Sequence, residues 1–231
     1  MSHPVVSPEQ WQAARAALLA KEKEFTRLRD ALSRERRALP WERVEKHYVF
    51  DGPNGPESLS DVFAGKSQLV VYHFMFNLAD DAGCPHCSFW ADHFDATIPH
   101  LRQRDVSLVV ISRAPRAKLA AFQQRMGWKF KWLSSGSTSF NYDYRVSFTP
   151  ADSNQPVYNV GTLAPGMADR EGLSVFTKDA DGAIFRTYST YARGIDMING
   201  TYQILDLVAK GRDEDPEAPQ DWVRHHDRYD A

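Results

Sequence analysis

Cysteine is nearly absent from this 231-residue chain, which carries only Cys84 and Cys87. So few exclude a scaffold stapled by disulfides, and a four-coordinate zinc site built on them would need two further ligands. A large excess of charge of either sign is also missing. With 28 Lys and Arg against 30 Asp and Glu, the net charge of −2 gives no electrostatic case for nucleic acid. No stretch approaches the ~20 apolar residues of a membrane span. The opening Met1-Ser2-His3-Pro4 lacks a basic-then-apolar leader. No nucleic-acid or membrane partner is therefore expected, and a cytoplasmic location is. In that compartment a cysteine pair serves catalysis more often than structure.

The strongest signal lies in residues 68–94. Leu69-Val70-Val71-Tyr72-His73-Phe74-Met75-Phe76 is apolar on both faces and rich in β-branched and aromatic residues, as a central strand covered on both sides would be. Asn77, Asp80, Asp81 and Gly83 make a polar connector to the cysteines. Beyond them Phe89, Trp90, His93, Phe94 and Ile98 recur at helical spacing, so the pair sits where a loop enters a helix, with Pro85 in the first turn. Free amides and the helix dipole there favour a thiolate at Cys84, the form that attacks disulfides. The same pair also reads as inert core thiols, or as half of a metal site that His73 or His93 would have to approach.

Ser7-Pro8-Glu9-Gln10 reads as an N-cap, a helix-opening proline and a capping-box partner, starting a helix that runs to about Leu39. Trp11, Leu18, Phe25, Leu32 and Leu39 fall every seven residues, while Lys21 and Glu35 interrupt the intermediate seam. This stripe needs either the body of the chain or the same helix of a second subunit, so a homodimer is an open expectation. A short strand at 47–50, one helical turn at 58–63, a second buried strand at 106–112 parallel to the first, and a helix at 115–126 follow. Trp128-Lys129-Phe130-Lys131-Trp132-Leu133 alternates like a third strand. Residues 134–170 form a polar insertion around Phe140-Asn141-Tyr142-Asp143-Tyr144, either a lid near the cysteines or a satellite core. A hairpin at 172–188 and a helix at 196–210 complete the domain. The organisation is an extension at 1–40, a domain at 41–211, and a charged tail at 212–231, wrapped on the surface or partly disordered, with His225 and His226 in solvent.

Taken together, Leu39-Pro40-Trp41, the 68–76 strand, Gly83-Cys84-Pro85-His86-Cys87-Ser88, Ser112-Arg113-Ala114-Pro115, Arg125-Met126-Gly127-Trp128, the 140–144 block and Thr187-Tyr188-Ser189-Thr190-Tyr191-Ala192-Arg193-Gly194 carry a resemblance. They resemble a bacterial thioredoxin-like family catalogued as a domain of unknown function and described as predicted dithiol-disulfide oxidoreductases. The resemblance runs from the first helix to the tail. It implies an α/β thioredoxin-like fold, a mixed sheet flanked by helices, with a long N-terminal helix. It also implies a redox centre with no cofactor, acting on a thiol or disulfide substrate and served by an electron donor. In this reading Cys84 attacks, Cys87 resolves the mixed disulfide, His86 tunes the Cys84 pKa and Pro85 fixes the turn. Trp90, Arg113, Trp132, Asn141, Tyr142, Asp143 and Glu171 are candidates for the substrate wall, and no residue is assigned to a metal.

Two alternatives stay open: a protein of the same fold that holds zinc or copper, and a peroxide scavenger. The order strand, loop, Leu59-Ser60-Asp61-Val62-Phe63-Ala64-Gly65-Lys66, buried strand and cysteine is similar to the peroxiredoxin and thiol-oxidoreductase branch of the thioredoxin superfamily. There are departures. Thioredoxins place a cis-proline before the strand facing the cysteines, where this chain has Asp169-Arg170-Glu171 and, nearest, Pro165. Peroxiredoxins set their cysteine in a Pro-x-x-x-Thr/Ser-x-x-Cys context, whereas Asn77-Leu78-Ala79-Asp80-Asp81-Ala82-Gly83 precedes Cys84. A Pro-His dipeptide between cysteines is similar to strongly oxidising enzymes, whose pair favours the dithiol form.

Overall fold

The computed structural model describes residues 3–149, 152, 157–159, 161–162 and 168–230. The chain forms two compact units, Met1–Pro40 and Trp41–Ala231. The first holds helix α1, Pro8–Ala38, with Pro8 at its first position. Ser7 and Gln10 close the expected capping box, the Ser7 amide donating to Gln10 Oε1 at 3.1 Å and the Gln10 amide to Ser7 Oγ at 3.3 Å. Two amides that the helix cannot pair are thereby satisfied. Trp11, Leu18, Phe25 and Leu32 are exposed along it.

The second unit is built on a mixed sheet. In chain order its elements are β1 (Glu42–Arg43), β2 (Val49–Gly52), β3 (Gly55–Ser58), α2 (Leu59–Val62), β4 (Gln68–His73), α3 (Pro85–Ala91), α4 (Phe94–Arg102), β5 (Val106–Ser112), α5 (Arg116–Arg125), β6 (Lys131–Ser134) and α6 (Phe140–Asp143). There follow a small ribbon of β7 (Val157–Tyr158) and β8 (Gly161–Thr162), then β9 (Gly172–Lys178), β10 (Ile184–Tyr191), a 3₁₀ turn at Ala192–Ile198, and α7 (Gly200–Leu205). The described strands order themselves β1-β10-β9-β4-β5-β6-β2-β3 in the main sheet. β4 runs parallel to β5 and antiparallel to β9, which pairs antiparallel with β10. This spatial order, β10-β9-β4-β5 with helices in the β4–β5 crossover, is the thioredoxin-like arrangement.

The sheet separates two apolar clusters. β4 alternates, sending Leu69 and Val71 into one and Tyr72 into the other. Tyr72, Phe74, Phe76, Trp90, Phe94, Trp128 and Trp132 fill the face beneath α3, α4 and α5. Phe50, Phe63, Phe140, Tyr144 and Phe176 fill the opposite face. Such burial, at about 25 cal/mol per Å² of apolar surface, is the main force holding the layers together.

Several elements differ from the sequence reading. The helix after the cysteines breaks at Asp92–His93 into α3 and α4. Only Lys131–Ser134 of the aromatic-basic run is strand, while Trp128 and Phe130 are buried ahead of it. The last helix is short, capped by Asn199 Oδ1 accepting from the Tyr202 amide at 3.0 Å, and Val208 lies beyond it and is exposed. The 134–170 insertion lies partly outside the described residues, Pro165 included. Its α6 packs on the sheet face away from α3, as a second core and not a lid over the cysteines. Among the described residues no helix is long and apolar enough to cross a membrane.

Candidate active site

The site is made where β4 ends. Beyond His73 the chain continues beside β5, the Phe74 amide donating to Ile111 O and the Ala114 amide to Phe76 O. It then turns back through residues 77–83. That loop is pinned by the Asn77 amide on Asp80 Oδ2 at 2.7 Å and by Lys118 Nζ on the carbonyls of Leu78 and Asp80, both at 2.8 Å. The outgoing end beyond β4 then staples both cysteines: Met75 O accepts from the Cys84 amide at 3.1 Å, and the Met75 amide donates to Cys87 Sγ at 3.4 Å. Gly83 is forced here, because a Cβ would lie 2.7 Å from a Phe122 ring carbon and 2.8 Å from one of Phe74.

Cys84 occupies the N-cap of α3, with Pro85 at the first helical position, as the spacing predicts. Its carbonyl accepts from the Ser88 amide at 3.0 Å and from Ser88 Oγ at 2.9 Å. Both thiols are free; Cys84 is partly exposed and Cys87 is 1% exposed. The Cys84 thiol is held down at about 5, from an ordinary 9.0, first by hydrogen bonding from the Cys87 thiol, then by the His86 ring and the Cys87 amide, against the opposing effect of burial. The His86 pKa is raised in turn, chiefly by its hydrogen bond to Cys84. Cys87 is pushed the other way: burial, the Cys84 charge and Glu171 all disfavour its thiolate. One sulfur is thus kept ionised and its neighbour kept protonated, the asymmetry that sequential attack and resolution requires.

Pairing of His73 with Gly172 across β4 and β9 carries the preceding residue, Glu171, to the cysteine end of the sheet. Glu171, His86, Cys87 and Trp90 share the wall of a cavity of about 200 Å³ with Tyr72 and Met75. Trp90 is locked there by its indole N–H on Ile195 O at 3.0 Å. The other wall candidates lie away from this cavity. Trp132 is buried with Nε1 on Ser112 Oγ at 3.0 Å. Arg113 stacks over Tyr142 at 4.7 Å and pairs with Asp169 at 3.6 Å. Asn141 is buried and accepts from Ser135 Oγ at 2.8 Å, and Asp143 takes Lys46 at 2.6 Å and Tyr48 at 2.8 Å.

Among the described residues no group of three or more His, Cys, Asp or Glu side chains is placed to hold a metal ion. His73 bonds Ser174 Oγ at 2.9 Å and lies against Phe140 and Tyr144 on the far face of the sheet. His93 faces Thr201 Oγ1 at 3.2 Å. Of the two tail histidines that the sequence reading left in solvent, His225 reaches the site, its Nε2 lying 2.7 Å from Gly83 O. His226 is exposed as expected, with Nδ1 2.7 Å from Asp92 Oδ1 at the C-terminal end of α3. No motif marks His225; only the fold brings it there.

No curated protein matches the chain. Among solved structures, peroxidoxin BcpB from Mycobacterium tuberculosis is 17% identical with a TM-score of 0.47, covering 71% of this chain and 96% of that chain. A variant of peroxiredoxin Q from Xanthomonas campestris is 14% identical with a TM-score of 0.45, covering 71% and 98%. A variant of PrxQ from Xylella fastidiosa is 12% identical with a TM-score of 0.43, covering 68% and 88%. The family model described as bacterial protein of unknown function (DUF899) matches residues 1–229, and the chain belongs to that family.

Proposed function

We propose that the protein is a thiol-based oxidoreductase whose redox centre is Cys84 and Cys87. The observation that carries this is the opposite setting of the two thiols, Cys84 lowered to about 5 and Cys87 raised, three residues apart at the start of α3. The Cys84 thiolate attacks one sulfur of a substrate disulfide, forming a mixed disulfide and expelling the other sulfur as a thiolate. Cys87 then gives up its proton and attacks Cys84 Sγ, releasing the second substrate thiolate and closing a Cys84–Cys87 disulfide. Two electrons pass from the dithiol to the substrate, and a separate thiol donor restores the pair.

A second reading uses the same thiolate on a small peroxide, and the lowered Cys84 beside a buried, protonated Cys87 supports it equally. Cys84 takes one peroxide oxygen as a sulfenic acid, an alcohol or water leaves, and Cys87 condenses with it to give the same disulfide and water. Cys84→Ser abolishes turnover in both readings, and Cys87→Ser traps the intermediate. Mass spectrometry of the trapped species separates them: a mixed disulfide in the first, a sulfenic acid in the second. Full turnover by Cys84→Ser refutes both.

A further inference from the structure

The closing segment of the described chain passes over the N-terminal end of α3. Glu214 anchors it, accepting from Tyr202 Oη and Trp222 Nε1, each at 2.7 Å. Trp222 meets Phe89 of α3 edge-on at 5.4 Å, and Val223 is buried in the core beneath. On one side of the cysteine motif Gln220 lines the cavity wall together with His86. On the other side stands His225. Arg125 donates to its Nδ1 at 3.1 Å and is itself fixed by two 2.8 Å bonds to Asp227. With Nδ1 accepting, the ring proton sits on Nε2 and is donated to Gly83 O at 2.7 Å.

We propose that this strap is part of the active site and that His225 is a positioning residue for Cys84; the proposal rests on Cys84 being the attacking sulfur. The peptide joining Gly83 to Cys84 is held at both polar ends, its carbonyl by His225 and its amide by Met75 O. Rotation of that peptide would carry Sγ away from the Cys87 thiol and the His86 ring that stabilise its charge. The strap meets the motif at two points, the Gly83 carbonyl through His225 and the cavity wall shared with His86 through Gln220, with Trp222 and Val223 between them in sequence. A tail that merely covered apolar surface would need Trp222 and Val223 but not the relay from Asp227 through Arg125 and His225 to Gly83.

The test is the pH profile of Cys84 alkylation by iodoacetamide in the full chain, read with thermal stability for His225→Ala and His225→Gln. His225→Ala is expected to raise the Cys84 midpoint by about one pH unit, the loss that follows when a freed Gly83–Cys84 peptide lets Sγ forfeit one hydrogen bond to its charge. His225→Gln, whose amide N–H can reach the same carbonyl, is expected to restore most of it. A midpoint unmoved in His225→Ala, with only the melting temperature lowered, overturns the proposal. An ordinary midpoint already present in the unaltered protein overturns the attacking role of Cys84 and the strap's purpose with it. Should His225→Ala fail to fold, Arg125→Gln, which releases the ring without removing it, is read in the same way.

Discussion

Removing the Cys87 thiol tests the electrostatic core of the site. Cys84 sits at about 5 against an ordinary 9.0, so at pH 7 its thiolate fraction is near unity, about a hundredfold above that of an ordinary cysteine. Intrinsic nucleophilicity falls with pKa at a slope of about 0.4–0.5, which over this shift costs roughly 40- to 100-fold. The two effects nearly cancel at pH 7, so the absolute rate there is uninformative and the shape of the profile decides. Alkylation of Cys84 is expected to be flat above about pH 6 and to fall tenfold per unit below 5. An unperturbed thiol would instead climb tenfold per unit up to about pH 8. The hydrogen bond from Cys87 is the largest cause of the shift, and a hydrogen bond to a charged group is worth about 1.5–3 kcal/mol. Cys87→Ala should therefore raise the midpoint by about one to two units. The assay is the iodoacetamide rate from pH 3 to 9, with the alkylated residue confirmed by peptide mass. An unchanged midpoint in Cys87→Ala refutes the argument.

Two further predictions concern stability. The Cys84 pKa is lower in the fold than in the unfolded chain, so its contribution is complete above the unfolded value near 9, grows with pH between about 5 and 9, and is lost as pH falls through about 5. The disulfide form has no thiolate, so the melting temperature of the dithiol form relative to the disulfide form should drop between pH 8 and pH 5; a difference independent of pH would contradict this. Gly83→Ala forces a methyl group against Phe122 and Phe74. Overpacking of this kind costs about 1–3 kcal/mol, to be read as a lowered denaturation midpoint at unchanged slope, and an unaffected midpoint would show that the two rings yield freely.

Local chemistry made much of the fold legible. The capping box of Ser7 and Gln10, the two-sided apolar run of β4, and the Asp179–Gly182 turn between β9 and β10 each announce themselves within a few residues. Cys84 and Cys87 were equally plain, since strand, loop and helix follow in order. What stayed hidden depends on distant partners. Nothing within residues 140–144 tells which face of the sheet Phe140 will cover; that is settled by Phe50, Tyr48 and Phe176. The break between α3 and α4 leaves Asp92 facing Trp128 and His226, both far along the chain. Glu171 could be placed because the hairpin it precedes was readable. His225 could not, because a charged segment carries no periodicity to show what it touches.

The outermost strands of the sheet also bear on how a partner could approach. At one end β1 is two exposed residues, Glu42 and Arg43, with Glu42 ion-paired to Arg186; at the other β3 carries Pro56, which has no amide to offer. Short, charged or proline-bearing outer strands make poor templates for an added strand, which guards the sheet against edge-to-edge aggregation. They also leave a polypeptide little to gain by docking there as an extra strand. On the proposed reading, a disulfide partner would have to meet Cys84 through side-chain contacts around the start of α3 rather than by adding a strand to the sheet.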